Sequence, residues 1–447
     1  MARAEVAADQ LDANVNAEAA AEAAALELPP GIVAQTLGEY LRGSFARIKS
    51  GQSGVLPVIL GLLIITAIFG AISPRNVFLS PGNIVNLFQQ SAVFMVLAMA
   101  EGFALLLGEI DLSVGYVGAV GGVIAVQLVQ PTTTHWPWWA AIVAALLCCA
   151  LIGALQGSLI TVLRLPSFVV TLSGLLIFNG VMLILLLLGP FSGILSLVGQ
   201  GPDLQVLYNL MWGTIDPVVS WIAMAVVVAV LALILWLGDS RRRRSGLVAP
   251  PASLTIIKIA MIAAVGIVVV AICDINRANT GTLEGVPYVI PIVLAVLGAW
   301  TVLLQQTKFG RYVYAIGGNP EAARRAGINL RSVRTWAFVL CSFTAGIAGL
   351  LYASLLSGVS NNFSGGQYVL YAVAAAVIGG TSLFGGRGKP LHGVLGGLVI
   401  GAIYNGMYLM DYPVQWEFIV TGVVLMLAVT IDSLSRRGAT SGSVARV

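Results

Sequence analysis

Five acidic side chains lie within or beside long apolar stretches of this sequence: Glu101, Glu109, Asp111, Asp411 and Glu417. An ionisable group at the centre of a membrane helix costs roughly 2.5 to 3.5 kcal/mol on insertion scales, so such groups usually have a function. Glu101 stands out because it interrupts an apolar run about two helical turns before the sequence GEID, which contains Glu109 and Asp111. Two interpretations of Glu109 and Asp111 remain open: a functional role, or capping of the next helix with Asp111 as the N-cap.

Uncharged amide side chains also interrupt the apolar stretches. An amide group both donates and accepts hydrogen bonds, as a sugar hydroxyl does, so these residues suit a hydroxylated solute better than an ion. Each could equally form an interhelical hydrogen bond worth about 0.6 to 2 kcal/mol. The candidate substrate path therefore consists of Gln89, Gln90, Glu101, Glu109, Asp111, Asn179, Asn405 and Asp411.

The residue types that a catalytic or metal site needs are scarce. His135 and His392 are the only histidines, and neither has the spacing of a metal ligand or a general base. The GGRGKP sequence at 385–390 lacks the GxxxxGK[ST] pattern of a phosphate-binding loop. The four cysteines all lie in apolar runs, where cysteine behaves as a small buried hydrophobe. We therefore expect no catalytic residue, no metal site and no cofactor in this chain.

The elements that carry these residues are predicted to be membrane helices. The 447 residues are 58% hydrophobic and 9% charged, against roughly 25% charged in soluble domains. The modest net charge of +4 comes from loop arginines and gives no reason to expect a nucleic-acid partner. The predicted fold is an all-α polytopic bundle of about twelve spans. They lie near 55–72, 84–107, 112–130, 138–163, 167–188, 218–237, 254–273, 286–305, 335–357, 368–384, 391–410 and 415–434.

Basic residues predict the orientation of this bundle. If the amino terminus is cytosolic, nearly every basic cluster falls in a cytosolic connection, including Arg241–Arg244 and Lys308–Arg334. Both termini are therefore expected in the cytosol. The transmembrane domain covers 50–437, after an acidic Ala-rich tail at 1–31 and before a short tail at 438–447. The segment 32–49 has the periodicity of an interfacial amphipathic helix, or is a linker in which that periodicity arises by chance.

Glycines recur at four-residue spacing inside several predicted spans. Such spacing lets helix backbones approach closely where no hydrophobic effect drives association. It predicts a dense bundle with tight helix crossings at Gly118 and Gly122, at Gly153 and Gly157, and at Gly393, Gly397 and Gly401.

The basic loop 308–334 contains a short helix signal of its own. Asn319 is a suitable N-cap, Pro320 suits the first helical position, Glu321 lies in the first turn and Gly327 ends the helix. A helix of about eight residues is too short to be stable alone in water. It either docks on a partner, or the segment is an ordinary basic loop that obeys the positive-inside rule.

Four sequence motifs carry a resemblance to a known family. They are GEIDLSVG at 108–115, LPSFVVTL at 165–172, YAIGGNPEAAR at 314–324 and VIGGTS at 377–382. In this order they resemble the permease subunits of bacterial ATP-binding-cassette (ABC) importers for monosaccharides, over about residues 50–437. The likeness is greatest to the xylose-type members, because of Glu109, the loop at Arg241–Arg244, and the sequence from Asn405 to Asp411 that precedes a span containing Trp416.

The resemblance implies a multi-pass protein of the bacterial inner membrane that passes a monosaccharide, D-xylose first, into the cytoplasm by alternating access. It implies three protein partners: a cytosolic ATPase subunit that holds ATP and Mg²⁺, an extracytoplasmic sugar-binding protein and a second permease copy, giving a homodimer. The matched coupling residues are Asn319, Glu321, Ala322, Ala323, Arg324 and Gly327. The alternatives are a permease of this type for ribose or inositol, an ion-coupled sugar carrier using Glu101 or Asp411, and a membrane-embedded enzyme or scaffold, which the missing nucleophile and base disfavour.

Overall fold

The computed structural model describes residues 55–132, 134–187, 193–199, 201–245, 252–278, 281–361, 363 and 365–444. The tail at 1–31 and the segment 32–49 lie outside these residues. The helices are α1 Leu56–Ile72, α2 Pro81–Leu106, α3 Val114–Leu128, α4 Trp138–Val162, α5 Ser167–Leu187, α6 Pro202–Trp212, α7 Pro217–Arg244, α8 Ala252–Cys273, α9 Val289–Gln306, α10 Lys308–Gly318, α11 Pro320–Arg325, α12 Leu330–Leu355, α13 Gly365–Ile378, α14 Pro390–Leu409 and α15 Val414–Val444. A 3₁₀ segment, Pro74–Leu79, joins α1 to α2.

Every segment predicted as a span contains a helix. Seven helices of the described residues, α2, α4, α5, α7, α8, α9 and α12, are long and apolar enough to cross a membrane. Helices α1, α3 and α13 and the stretch Val414–Leu427 of α15 are apolar but shorter. The helical, multi-span character of the chain is therefore confirmed.

The chain divides into two compact units. The described part of one unit is 224–245 and 252–267, a hairpin made of most of α7 and α8, which we call the hairpin unit. Its polar contacts lie near the connection, where Thr255 Oγ1 donates to Asp239 Oδ2 at 2.6 Å and the Arg243 guanidinium lies 5.9 Å from the Trp236 ring centroid. The main unit comprises the described residues of Gly51–Ala223 and Val268–Val447.

Helices α2 and α12 form the centre of the main unit. Both are 26 residues long and buried over most of their length. Helix α12 packs on α2, α3 and α4, while α14 and α13 pack on α2. A helix that is apolar on all sides is stable only where neighbours or lipid surround it. The shorter helices α3 and α13 supply part of this surrounding, because α3 packs on α12 and α13 packs on α2.

Glycines make the crossings of α12 possible. A Cβ atom on Gly118 would lie 2.6 Å from the Ala345 carbonyl oxygen, and one on Gly122 would lie 2.7 Å from that of Gly349. On α4, a Cβ atom on Gly157 would lie 2.8 Å from the Thr335 Cα atom. The predicted packing role of these glycines is confirmed, because any larger residue would force the backbones apart.

The third glycine series packs α14 on α2 in the same way. A Cβ atom on Gly393 would lie 2.8 Å from the Met99 amide nitrogen, and one on Gly397 would lie 2.6 Å from the Met95 Cα atom. Gly401 continues the row against Ser91. Three glycines on one face thus allow α14 to pack closely on α2 over the two turns from Gly393 to Gly401.

A two-stranded ribbon and helix α6 were not predicted from the sequence. A two-stranded antiparallel ribbon pairs β1, Ile194–Ser196, with β2, Gly358–Ser360. Helix α6 precedes α7. Ser354 binds the last turn of α6, where its Oγ accepts a hydrogen bond from the Met211 amide at 3.0 Å. Strands of three residues and a short helix with few apolar periods have no local signature, so tertiary contacts decide them.

Candidate substrate path and coupling socket

The GEID turn, residues 107–113, re-enters the helix bundle. Helix α2 ends in a Schellman motif, in which Glu109 N donates to the Ala104 carbonyl at 3.0 Å and Gly108 has φ +77°. The Asp111 amide then donates to Glu101 Oε1 at 3.1 Å. Since Glu101 lies five residues before the end of α2, the chain has returned about 8 Å along that helix. Helix α3 therefore begins inside the bundle, as the discontinuous helices of transporters do.

Asp111 does not act as the N-cap of α3, so the capping interpretation was wrong in its detail. The N-cap is Ser113, and the Asp111 side chain binds it from two residues upstream. Asp111 Oδ1 accepts from the Ser113 amide at 2.9 Å and from Ser113 Oγ at 2.6 Å. The helix begins two residues later than Asp111 predicts, because the aspartate forms a local turn with its own backbone.

Buried polar groups surround this turn. Glu101 and Asp111 are both fully buried. Cys341 Sγ lies 3.5 Å from Asp111 Oδ2, and Gln156 Nε2 donates to Ser113 Oγ at 2.8 Å. Within the described residues, Glu101 Oε2 and Gln156 Oε1 are buried and accept no hydrogen bond. The cluster therefore has acceptor capacity in the interior of the bundle.

Glu109 faces a different partner. Its carboxylate oxygen Oε1 lies 3.1 Å from Nε of Arg334, in the second turn of α12. The Glu109 side chain is 8% exposed and that of Arg334 is 31% exposed. The sequence placed Glu109 with Glu101 and Asp111 in one substrate path, whereas the structure directs it to the start of α12.

The short helix predicted in the basic loop is α11. Asn319 Oδ1 accepts from the Ala322 amide at 3.0 Å, Pro320 occupies the first position, and Gly327 has φ +82°. A Schellman motif ends the helix, with the Ile328 amide donating to the Ala323 carbonyl at 3.1 Å. The N-cap and stop residues are confirmed, but the helix has six residues rather than about eight, and α10, Lys308–Gly318, precedes it unpredicted.

Glu321 is exposed on the first turn of α11. Arg324 lies 2.8 Å from Glu321 Oε2 and Arg325 lies 3.3 Å from Oε1. The hydrogen bond and charge of Arg324, together with the hydrogen bond from Arg325, lower the pKa of the Glu321 carboxyl. The side chain is therefore ionised at neutral pH, and its negative charge stabilises the amino-terminal end of α11 through the helix dipole.

Three segments meet at one end of the main unit: the start of the GEID turn at Leu107 and Gly108, residues 308–329 and residues 379–389. We call their exposed surface the socket face. The Gly386 amide donates to the Leu106 carbonyl at 2.9 Å, and Tyr314 Oη donates to the Gly388 carbonyl at 2.8 Å. A Cβ atom on Gly108 would lie 3.4 Å from the Phe384 carbonyl oxygen. Helix α11 is exposed on this face except for Ala323, so its outer side is open to a partner.

The predicted amide residues fall into separate places. Asn83 and Asn405 exchange side-chain hydrogen bonds of 2.9 and 3.2 Å, and Asn405 also donates to Gln90 Oε1 at 3.1 Å. Gln89 donates instead to the Met211 carbonyl at 2.6 Å. Asn179 is half-buried on α5. Asn405 and Gln90 thus belong to one interhelical network, which Gln89 and Asn179 do not join.

Asp411 lies apart from the buried acids. It is exposed in the turn after α14, with φ +53°. Its neighbour Tyr412 donates its amide to the Met407 carbonyl at 3.0 Å, which makes Asp411 the left-handed residue of a Schellman motif. Aspartate is among the few residues other than glycine that adopt this conformation readily. The backbone alone accounts for the residue type at this position.

An aromatic cluster between α2, α12, α13 and α14 was missed from the sequence. Ring centroids are 4.3 Å apart for Tyr352 and Tyr368, and Phe94 lies 5.4 Å from Tyr368 and from Tyr371. Tyr404 completes the cluster at 5.6 Å from Phe94. The tyrosine spacing 368 and 371 on α13 was the one sequence signal, but the other rings come from distant segments.

A buried acid contacts this aromatic cluster. Tyr371 Oη donates to Glu417 Oε1, and Gln367 Nε2 donates to Tyr371 Oη at 2.7 Å. Glu417 is 8% exposed. Apolar rings beside hydroxyl, amide and carboxylate groups form a surface that is partly apolar and partly polar. Such a surface complements a sugar, which is itself partly apolar and partly polar.

A metal site finds no support in the described residues, where no group of three or more His, Cys, Asp or Glu side chains could hold an ion. The buried acids are instead bound by backbone amides, hydroxyls, a thiol and one arginine.

The sequence matches a family of transport proteins over most of its length. Residues 83–429 match the family described as "Branched-chain amino acid transport system / permease component". This chain belongs to that family of ABC-type permeases. The expected family is thereby confirmed, and with it a place in the bacterial inner membrane.

Named relatives of this permease are similar to it along nearly the whole chain. The xylose transport system permease protein of Escherichia coli K12 is 34% identical over 401 residues, which cover 88% of this chain and 95% of the relative. The D-allose permease of the same strain is 28% identical over 83% of this chain and 90% of its own. The E. coli K12 ribose import permease is 28% identical over 84% of this chain and 92% of its own. No solved structure matches significantly.

Proposed function

We propose that this permease carries a monosaccharide, D-xylose first, across the inner membrane as the translocating subunit of a binding-protein-dependent ABC importer. The observation that carries the proposal is the 34% identity to a xylose permease over 88% of this chain. Ribose and allose permeases are also similar, at 28% identity, so the sugar class rests on several relatives and the choice of xylose on one.

The proposed orientation places the socket face in the cytosol. Basic residues concentrate in the loop 308–334 and at Arg387 and Lys389 of the turn 379–389, as the positive-inside rule requires. Twelve spans with both termini cytosolic satisfy this orientation. Helix α11 then faces a cytosolic ATPase subunit that binds ATP and Mg²⁺, and its exposed, capped surface supports this docking role.

The proposed sugar path runs through the main unit between two polar regions. The aromatic cluster with Glu417 and the Asn405 network lie towards the end of the bundle opposite the socket face, where an extracytoplasmic binding protein would deliver the sugar. The Glu101 and Asp111 cluster lies nearer the socket face. Tilting of α12 and the discontinuous α3 would expose these regions alternately.

Uptake by the reconstituted complex tests this function. Proteoliposomes containing the permease, its ATPase subunit and its binding protein should accumulate labelled xylose when ATP is enclosed on the ATPase side, and not with a non-hydrolysable analogue. Unlabelled xylose should compete better than ribose, allose or inositol.

Two results would contradict different parts of the proposal. Uptake that persists without the ATPase subunit and stops when a proton gradient is dissipated would establish an ion-coupled carrier instead. ATP-dependent uptake that ribose or inositol inhibits best would leave the importer function intact and overturn xylose as the substrate.

A further inference from the structure

The starting observation is that α12 touches the GEID turn at two points on one helix face. Arg334 pairs with Glu109 at 3.1 Å, and Cys341 Sγ lies 3.5 Å from Asp111 Oδ2. The two α12 residues are seven positions apart, which places them on the same side of a helix two turns apart. A charged pair is the stronger of the two contacts, because a thiol is a weak donor.

Arg334 is closely tied to the socket helix α11. Only residues 326–329 separate α11 from α12. The Ile328 amide binds the Ala323 carbonyl of α11 at 3.1 Å, and Asn329 caps α12 by accepting from the Ser332 amide at 3.2 Å. A displacement of α11 must therefore move the first turns of α12, because both ends of this short connection are hydrogen-bonded.

Glu109 is in turn tied to the start of α3. The next fixed point along the turn is Asp111, whose amide binds Glu101 Oε1 and whose carboxylate binds Ser113, the N-cap of α3. Helix α3 packs tightly on α12 through Gly118 and Gly122. The turn has little freedom to absorb a movement of Glu109 without passing it to α3.

The Glu109–Arg334 pair lies in a largely buried environment, where separating the two charges is unfavourable. Glu109 is 7% exposed, and both its second oxygen, Oε2, and Arg334 Nε are buried without a hydrogen-bond partner among the described residues. The two side chains are therefore held together by opposite charge at 3.1 Å and not by an aligned hydrogen bond. Separation from Arg334 would leave an uncompensated carboxylate in the protein interior, which is strongly unfavourable. The two residues should therefore move together rather than apart.

We propose that the Glu109–Arg334 ion pair is the link that transmits movement of the ATPase-docked helix α11 to the GEID turn and to helix α3. Glu109 is on this view a positioning residue for transport and not a sugar ligand. The inference rests on the proposed function, because it names how movement of α11 at the ATPase subunit reaches the substrate path.

The measurement is the number of sugar molecules imported per ATP hydrolysed by the reconstituted complex with its binding protein. In Glu109→Gln and in Arg334→Gln we expect ATP hydrolysis to continue while this ratio falls about five-fold or more, the scale of a typical coupling between sites. The double variant should be no worse than either single variant, because both remove one interaction. Arg334→Lys keeps the charge and should retain most of the ratio.

Arg242→Gln is the matched control, since it neutralises an exposed arginine of the hairpin unit. Its ratio of sugar imported to ATP hydrolysed should equal that of the parent protein. Thermal stability and ATPase co-purification are measured for every variant. Normal ratios in both single variants, or losses that multiply in the double variant, would overturn the link. A proportional fall of hydrolysis, uptake and stability together would also overturn it, because that pattern indicates a merely structural pair.

Failure of the proposed function would look different. If the parent complex imports no sugar with ATP, the proposed importer function is wrong, and the proposed link is wrong with it because there is no transport to couple. If the parent imports sugar and the variants keep its ratio, only the link is wrong.

Discussion

Glu101 illustrates how a buried acid can be required for one hydrogen bond. Its Oε1 atom accepts the Asp111 amide at 3.1 Å, which fixes where the chain turns back into the bundle. A buried amide left without an acceptor costs about 1 to 3 kcal/mol. This buried acid, which the sequence places in the candidate substrate path, therefore has a structural task.

Replacement of Glu101 separates that task from a proton-carrying one. Glu101→Gln retains an acceptor oxygen, so we expect near-normal stability and uptake. Glu101→Leu removes the acceptor and should destabilise the protein by about 1 to 3 kcal/mol, measured as a lower midpoint of thermal unfolding in detergent. Loss of uptake in a stable Glu101→Gln variant would contradict this view and would favour a titrating carboxyl group.

Asp411 shows the opposite outcome for a residue singled out by type. Its left-handed backbone conformation at the end of α14 explains an aspartate there without a ligand. Its exposure in the turn gives no support to a proton site within the bundle. Its place in the candidate substrate path stays a prediction.

At the scale of elements, one type of helix ending recurs on the socket face. Helices α2, α11 and α13 each end in a Schellman motif with Gly108, Gly327 or Gly380 in the left-handed conformation. A glycine in each turn lets the chain reverse tightly. The three turns can therefore pack against one another and present α11 outward.

Reversal of the charge on α11 tests the socket. Glu321→Lys opposes the helix dipole and places a third positive charge beside Arg324 and Arg325. Because Glu321 is exposed, we expect normal insertion but weaker co-purification of the ATPase subunit and lower ATP-driven uptake. Glu321→Gln removes the charge at nearly equal size and should have a smaller effect. Normal uptake by Glu321→Lys would remove this residue from the coupling role.

At the scale of the whole molecule, one chain presents one α11 and therefore one socket. The resemblance to ABC importers implies two permease copies over two ATPase subunits, and closed two-fold symmetry is the commonest arrangement of identical subunits. We expect native mass spectrometry of the purified complex to show two copies of this chain. A functional complex with a single copy, or with a second and different permease, would contradict the homodimer.

The sequence by itself determined the elements whose signals are local. Apolar runs predicted the helices, glycine spacing predicted the crossings of α3, α4 and α14, and Asn319 with Gly327 predicted α11, because each depends on neighbours a few residues away. Four ordered motifs were enough to indicate the family.

Only the tertiary structure decided which polar residues act together. It paired Glu109 with Arg334 and Glu101 with the Asp111 amide, and it assembled Phe94, Tyr352 and Tyr368 from three helices. It also placed the start of α3 inside the bundle, through one hydrogen bond to Glu101. Apart from Glu101 and Asp111, these partners are far apart along the chain. All of their contacts depend on tertiary packing, for which a single sequence has no periodic signal.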